Sequence, residues 1–565
     1  MIQDKIKNKT VLKIPEYSPK GIEQAVDLFE KEANKFNDAK FLVYWDPDID
    51  GLFAGYIVEE FLKLLGLYNS NFKYVLNQQR KHGFFLTDEA LANLKGYTII
   101  AVDFSITKED FDRILKAGIN LINIDHHEID IKNYTKLDRE YVYSKCGDVK
   151  GIILNNQYES EPNEFKFLSG AGMVYYFLKA VAERFDLELP KDFEALVGIT
   201  LLSDIRVIES AEARAFLLKT FISKSDYIKY LHWLILPEKN INAKRFNPFG
   251  MPDGFNRDLI DYNFSPIINS LLRANKGMLA VELLRKNQSV ISYLKDNDTI
   301  FTYREIQKKI VAAIAEKVKE NENIPGSLTR KLSTMVICCL ESTFEPIPGY
   351  DITNYIGVAC SKIKDEDKVG VIFVIDEETG MSKRGSFRGS LDGVNYLDIF
   401  KRNGVPAAGH QNAFGILECK VSEINFEKID EEIRLAEEEY RKSHTETRTV
   451  IKVPDLGAFF RDPHSDMIAL INAMSRDSHR IFIKYTGPIE KIKPDLNVNS
   501  TKFARYKVDD VTVTSFDVSL DIVNSYMLIM YENQEYKKIT LRPSFEIEEC
   551  ESETTELNKK LSSIS

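Results

Sequence analysis

Cysteine is scarce in this sequence and never grouped for chemistry. The six residues, Cys146, Cys338, Cys339, Cys360, Cys419 and Cys550, make no CxxC pair and no zinc-binding spacing. That excludes a disulfide scaffold and a zinc module, and predicts reduced, partly buried thiols in a cytosolic protein. Long apolar runs are also missing. None approaches the roughly 18 residues of a membrane-spanning helix. The opening MIQDKIKNKT has no apolar core of a signal peptide. Basic charge is in deficit, with 75 Lys and Arg against 86 Asp and Glu and a net charge of −11. A broadly basic nucleic-acid coat is thereby excluded, whereas a local basic groove along a strand path is not. At 565 residues the chain exceeds one core, and its 44% hydrophobic and 28% charged content is that of a globular protein of several domains.

What is present is organised around residues 41–65, FLVYWDPDIDGLFAGYIVEEFLKLL. The apolar run 41–45 reads as a buried strand. Asp46, Asp48 and Asp50 follow at alternate positions, then Gly51 and an apolar helix over 52–65. Three carboxylates at a strand end repel one another unless a cation lies between them. Hard divalent ions such as Mg2+ or Mn2+ take oxygen ligands and suit that place. A polar turn between strand and helix is the other reading, and this stretch alone does not choose.

Further along, 74–77 reads as a strand and 77–85 as a loop, in which Arg80, Lys81 and His82 either meet phosphate or form a solvated turn. A second strand, 97–105, ends in Asp103. A helix over 108–117 leads to a strand over 120–124 and then Asp125-His126-His127. Strand, helix, strand with an acid or imidazole at each carboxyl end builds a parallel sheet whose ligands gather along one edge. Gly170 and Gly172 open a helix within 165–180 and allow close backbone approach. A helical and strand-like run, 194–202, delivers Ser203 and Asp204. No Ser or Cys nucleophile with a His partner stands out, which favours attack by water.

Four segments, DPDIDG (46–51), VDFS (102–105), IDHHE (124–128) and LSDI (202–205), resemble in order and spacing the four motifs of the DHH phosphoesterase superfamily. The segment 263–274 resembles the Pro-x-x-Asn-x-x-x-Arg motif of its exonuclease branch, on Pro266, Asn269 and Arg273, and AVELL (280–284) follows as in that branch. RGSFRGS (384–390) and AAGHQNAFGI (407–416) resemble the two motifs of the accessory domain that accompanies a DHH domain. Together they resemble RecJ-type single-strand-specific exonucleases over about residues 38–420. Departures are Tyr44 where some branches carry His, Ala407-Ala408-Gly409 for a glycine-rich triplet, and Gln411 for Pro. Where the family often has a His near Tyr350, this chain has Asp351 and Asn354 nearby.

The resemblance implies phosphodiester hydrolysis by two divalent ions that activate a water. Asp46, Asp48, Asp50, Asp103, His126 and Asp204 would hold the ions, with Asp103 as the bridge. The imidazole of His126 tilts the preference from Mg2+ towards Mn2+. His127 would face the scissile phosphate or leaving group, which makes Asp103, His126 and His127 the catalytic set. Arg80, Asn269, Arg273, Arg388, Gly409 and His410 would bind substrate, since a guanidinium fork matches phosphate oxygens. The implied substrate is single-stranded DNA, degraded 5′ to 3′. Two alternatives stand beside it: hydrolysis of short RNA oligomers or cyclic dinucleotides, and a non-catalytic scaffold. The extra domain and the Arg273 motif favour a longer substrate, and the full set of acids and histidines disfavours a decayed site.

The expected fold class is α/β. An N-terminal extension, 1–37, carries a helix over 20–36. The parallel-sheet catalytic domain spans 38–215, and a helical connector spans 216–325. That connector ends in an amphipathic helix over 302–322, with Ile306, Ile310, Ala313, Ile314 and Val318 on one stripe, joining the two domains. The smaller α/β accessory domain spans 326–420, with strands at 335–340 and 370–376 around a helix at 356–362. A charged helix, 421–447, reads as mostly solvated. Residues 448–550 are β-rich and read either as an oligonucleotide-binding barrel or as a surface for a protein partner. Residues 551–565 read as a disordered tail. No membrane contact is expected.

Overall fold

The computed structural model describes residues 13–76, 84–129, 131, 134, 140–204, 211–223, 225–234, 260–296, 299–322, 328–364, 368–391, 393–443 and 448–461, and separate strands between 482 and 550. Arg80, Lys81, His82 and the segment 551–565 lie outside the described residues.

The first sheet has six strands: β1 (Phe41–Trp45), β2 (Lys73–Leu76), β3 (Thr98–Val102), β4 (Asn120–Asp125), β5 (Tyr143–Cys146) and β6 (Val149–Asn155), in the order β2-β1-β3-β4-β6-β5. All pairs are parallel except β5 with β6. Every residue of β1 and β3 is buried, because alternate side chains enter cores on opposite faces. Phe41, Val43, Trp45, Ile100 and Val102 pack on one side, and Leu42, Tyr44, Ile99 and Ala101 on the other. This two-sided burial is why the strands read as unbroken apolar runs instead of alternating ones. The first face is covered by α1 (Ile22–Ala33), α2 (Ile49–Leu64), α4 (Gly170–Arg184) and α5 (Asp192–Ser203), and the second by α3 (Lys108–Lys116). The run 194–202 is wholly helical within α5, not strand-like. It is apolar on all sides because it is buried on all sides.

From β1 the chain moves outward to β2, then returns past β1 to β3. The strand order therefore reverses between β1 and β3, the place where open α/β sheets bind ligands beyond their carboxyl ends.

In the second sheet, β7 (Arg330–Lys331), β8 (Met335–Glu341), β9 (Val369–Ile375), β10 (Met381–Arg388), β11 (Ala407–His410) and β12 (Ala413–Ile416) run in the order β11-β12-β10-β9-β8-β7, and β13 (Cys419–Lys420) pairs with β10. Between the sheets, α6 (Ser265–Arg273) packs on α7 (Thr299–Glu322), and α7 in turn packs on α8 (Ile356–Ile363). Ile310, Ile314 and Val318 of α7 enter the core under β8 and β9. The other face of that sheet is closed by α9 (Tyr396–Arg402) and α10 (Phe426–Ser443). The charged helix expected within 421–447 is α10, and it has one buried stripe. Phe426, Ile429, Asp430, Ile433 and Glu437 of α10 are buried, and Asp430 accepts backbone N–H groups from Ser333 and Thr334.

The remaining strands pair in one mixed eight-stranded path that includes Arg448–Val453, Phe482–Tyr485 and Val511–Ser515. Among the described residues its end strands, Ile492–Pro494 and Glu549–Cys550, do not pair with each other. Of the cysteines, Cys338, Cys339 and Cys360 are buried free thiols, Cys419 is half-buried and Cys146 is exposed. No helix among the described residues is long and apolar enough to cross a membrane.

Gly55 shows how tightly α2 lies on β1. A Cβ there would fall 2.3–2.5 Å from the Trp45 ring. Gly55→Ala should therefore destabilise the protein by about 1–3 kcal/mol through overpacking. Helix propensity alone would give a gain of about 1 kcal/mol. Urea unfolding of both proteins decides between the two signs.

Candidate metal centre

The strand register brings the acids together. Trp45 pairs with Val102, and Val102 with Ile124. The residues that follow, Asp46, Asp103 and Asp125, therefore sit side by side at the carboxyl edge. All three are about 1% exposed.

α2 begins at Ile49, three residues before the expected start, so the three alternate acids take different roles. Asp46 lies between strand and helix. Asp48 is the N-cap, accepting the Gly51 N–H at 3.0 Å. Asp50 lies in the first turn and points across to α4. There its oxygens accept the backbone N–H groups of Gly170 and Ala171. A helix N-terminus is a natural seat for an anion. Two glycines make these approaches possible. A Cβ at Gly51 would lie 2.6 Å from Asp46 Cβ, and one at Gly170 would lie 2.4 Å from Asp103 Oδ1.

Asp103 has φ +66, a left-handed conformation that costs a non-glycine residue about 1–2 kcal/mol. Its N–H donates to the Ile124 carbonyl at 2.8 Å. Its Oδ1 stands 3.0 Å from His126 Nε2, and Asp50 Oδ2 is 3.6 Å from the same nitrogen. Burial, and then the charge of neighbouring carboxylates, raises the Asp103 and Asp50 carboxyls above the usual range. The Gly170 and Ala171 N–H groups offset part of this at Asp50. Asp204, the C-cap of α5, places Oδ2 3.8 Å from His126 Nδ1.

Asp125 stands apart from this repulsion. It accepts from His127 Nδ1 at 2.7 Å and from Ser105 Oγ at 3.0 Å. Burial opposes its ionisation, but His127 and His126 overcome that and hold it well below the usual range. His127 responds in kind. Burial would lower its pKa, yet the Asp125 charge and hydrogen bond push it up to about 9. The Asn155 side chain fixes the turn by donating to the His127 carbonyl at 2.9 Å.

The second sheet reaches this edge through the end of β11 and the loop that follows. His410 Nε2 lies 3.3 Å from Asp204 Oδ1, and its ring stacks on His127 with centroids 5.0 Å apart. Gln411 donates to Glu128 at 3.4 Å.

Of the expected site residues, Asp46, Asp48, Asp50, Asp103, His126, His127, Asp204 and His410 thus converge, and Gly409 adjoins them. Asn269 and Arg273 lie on α6, where Arg273 Nη1 donates to Gln307 at 2.9 Å. The start of α6 meets the end of α5 through Ser265 and Ser203, Oγ to Oγ 2.6 Å. Arg388 packs against Gly357 and donates to Ser386 Oγ and the Phe387 carbonyl. In place of the expected His near Tyr350, Asn354 donates to the Arg273 carbonyl at 3.2 Å. Tyr44 fills its place by packing on Phe84 and Phe104, its hydroxyl accepting the Phe85 N–H. The sequence reading gave no role to Asp125 or Ser105, although both lie inside quoted motifs.

Residues 40–200 match the DHH family, N-terminal domain. The chain is 24% identical over 422 residues to YorK of Bacillus subtilis (strain 168), described as a putative SPbeta prophage-derived single-strand DNA-specific exonuclease. The match takes in 70% of this chain and 65% of that protein, so the chain spans just under two thirds of its relative. The corresponding protein of Bacillus phage SPbeta matches to the same extent. Among solved structures, RecJ of Thermus thermophilus in complex with Mn2+ superposes with a TM-score of 0.61 at 16% identity, over 95% of this chain and 73% of that one. Its Mg2+ complex gives 0.55 at 15% identity, over 94% and 71%.

The raised carboxyls give a signed expectation for the metal-free protein. Asp50 and Asp103 keep protons in the fold that the unfolded chain releases above about pH 4. Their contribution to stability is complete below that pH and is lost as pH rises through each raised value, about 7 for Asp50. His127, raised, acts in the same direction at higher pH, and Asp125, lowered, has its contribution in full above about pH 4. In chelator, stability from urea unfolding should fall between pH 5 and pH 8 by more than about 1.4 kcal/mol, the equivalent of one pKa unit. Saturating Mn2+ should reduce or reverse the fall. A flat or rising profile in chelator would sink this reading of the acids. Residues 40–200 thus match the DHH family's N-terminal domain, and the fold of the chain is similar to that of Thermus thermophilus RecJ.

Proposed function

We propose that this protein is a divalent-metal-dependent phosphodiesterase that degrades single-stranded DNA from an end, 5′ to 3′. One observation carries the reading. Ligand atoms of Asp46, Asp48 and Asp103 all lie within 4.8 Å of one another, and those of Asp50, His126 and Asp204 do likewise. The two groups touch where Asp103 meets His126. The donors are buried carboxylates and one imidazole, a set that suits Mg2+ or Mn2+, and the imidazole shifts the preference to Mn2+. Asp46, Asp48 and Asp103 would hold one ion and Asp50, His126 and Asp204 the other, with Asp103 between them. Bound there, such ions neutralise phosphate oxygens and make water a better nucleophile.

The rest falls to the protein. Asp125 keeps His127 protonated and aimed, so that imidazolium is the donor for the leaving oxygen. His127 is 24% exposed along its side chain, enough to meet a substrate. His410 faces it from the second sheet and would position the terminal nucleotide beside Gly409. Arg388, Arg273 and Asn269 are the proposed phosphate contacts further along the strand. The preference for DNA and the exonuclease mode rest on the YorK likeness and on the family resemblance, and the polarity on that resemblance alone.

Two experiments test this. Single strands of DNA labelled at either end should lose the 5′ label first in Mn2+, with duplex DNA, matched RNA and a dinucleotide spared. Cleavage of the dinucleotide alone would move the protein to short substrates. Separately, Asp103→Ala should abolish cleavage with an unchanged circular dichroism spectrum. His127→Ala should lower turnover about 10²–10⁴-fold and leave Mn2+ binding in place. Full turnover in His127→Ala would remove it as the proton donor.

A further inference from the structure

Three imidazoles from two sheets meet beside the carboxylates. His126 and His127 follow the end of β4, and His410 ends β11. Their ring centroids are 4.6 Å apart for His126 and His127, 5.6 Å for His126 and His410, and 5.0 Å for His127 and His410. One ring nitrogen from each lies within 4.8 Å of the other two. Asp125 occupies His127 Nδ1 at 2.7 Å, so Nε2 is the nitrogen that would serve as a ligand. A carboxylate behind an imidazole is how metal-ligating histidines are aimed and made more basic. His410 is held as firmly. Gly409 has φ +136, its Cβ position lies 2.9 Å from Phe414 Cα, and His410 pairs with Ala413 across the hairpin.

Cations that prefer oxygen gain little from such a donor set, whereas Zn2+ and similar borderline cations bind imidazole well. We propose that His126, His127 and His410 form a second cation site, of the Zn2+ class, that ties the second sheet to the first across the mouth of the carboxylate centre. Because His126 belongs to both, Zn2+ here competes with full loading of that centre. Because His410 comes from the accessory sheet, the bound ion closes the cleft. Zn2+ is then an inhibitory ligand, and the site exists only while the two sheets are together. The zinc site itself concerns ligands and is independent of the hydrolase reading, whereas its inhibitory effect rests on that reading.

The test uses the full chain, stripped by chelator and titrated with Zn2+ against a chromophoric competitor, with Mn2+ titrated in parallel. X-ray absorption at the zinc edge counts the imidazoles. The expected shell holds three. His410→Ala should weaken Zn2+ binding by more than about tenfold and change Mn2+ affinity less than about twofold, because carboxylates dominate that centre. His410→Cys should recover Zn2+ affinity through its thiolate, which separates a lost ligand from a damaged fold. Equal Zn2+ affinity in the wild type and His410→Ala, or a shell of oxygens with one imidazole, overturns the proposal. Failure of Mn2+-dependent cleavage alongside a three-imidazole zinc shell would count against the hydrolase reading alone.

Discussion

Four carboxylates buried at one sheet edge are the constraint on which the rest of this molecule depends. Asp46, Asp50, Asp103 and Asp125 are each at most 3% exposed. Buried like charges are costly unless each is paired, protonated or shared with a cation. The fold answers three of them in different ways. Asp125 has an imidazole, and Asp50 has a helix N-terminus. Asp103 has the edge of His126 and an αL backbone that swings it there. The glycines at 51 and 170 follow from the same crowding, since a methyl at either would strike an acid. The strand reversal between β1 and β3 opens the crevice in which the arrangement fits.

The second sheet is part of this solution and not an appendage. Its core takes Ile310, Ile314 and Val318 from α7, and the other end of α7 packs on α6. Asn354 adds a hydrogen bond from the second sheet's side to the last turn of α6. A shared helix of this kind restricts how far the sheets can separate. It therefore sets the approach of His410 to Asp204 and His127. Gln411, standing where the family pattern has Pro, donates to Glu128 across the same gap. Proline has no donor to offer there, so this chain has a contact that the usual pattern lacks.

Much of the first sheet was legible in the sequence because its signals are local. A mostly apolar strand followed by an acid, three times over (FLVYW, TIIAV and NLINI, each before Asp), specifies parallel strands with a common ligand edge. The helices between them have ordinary periodicity. The partners of the acids were not legible. Asp50 meets backbone N–H groups 120 residues away, and backbone donors leave no mark on residue type. His410 reaches Asp204 only through the packing of α7. The buried stripe of α10 was hidden for a different reason. Phe426, Ile429, Ile433 and Glu437 have helical spacing, but a glutamate at a buried position reads as solvent-facing. Here Glu437 accepts from Tyr396 at 2.7 Å and from Ser390, a pairing that hydropathy cannot anticipate. At 194–202 the opposite occurred, where burial on all sides erased the periodicity that distinguishes helix from strand.

A site assembled in this way stores its own affinity. Without a cation, Asp103 bears an αL backbone, and Asp50 and Asp103 keep their protons only because burial and mutual repulsion make ionisation unfavourable. A divalent ion reverses the sign of the repulsion and releases those protons, so binding and folding are linked through the same carboxylates. Asp125 and His127 are already hydrogen-bonded to each other, although Asp204 and Asp46, whose charges help to raise the His127 pKa, belong to the groups that could hold a cation. The centre therefore divides into a part that a cation must complete and a part set before any cation arrives. That division puts His127, the proposed proton donor, in position before any cation is bound, and its hydrogen bond to Asp125 maintains it.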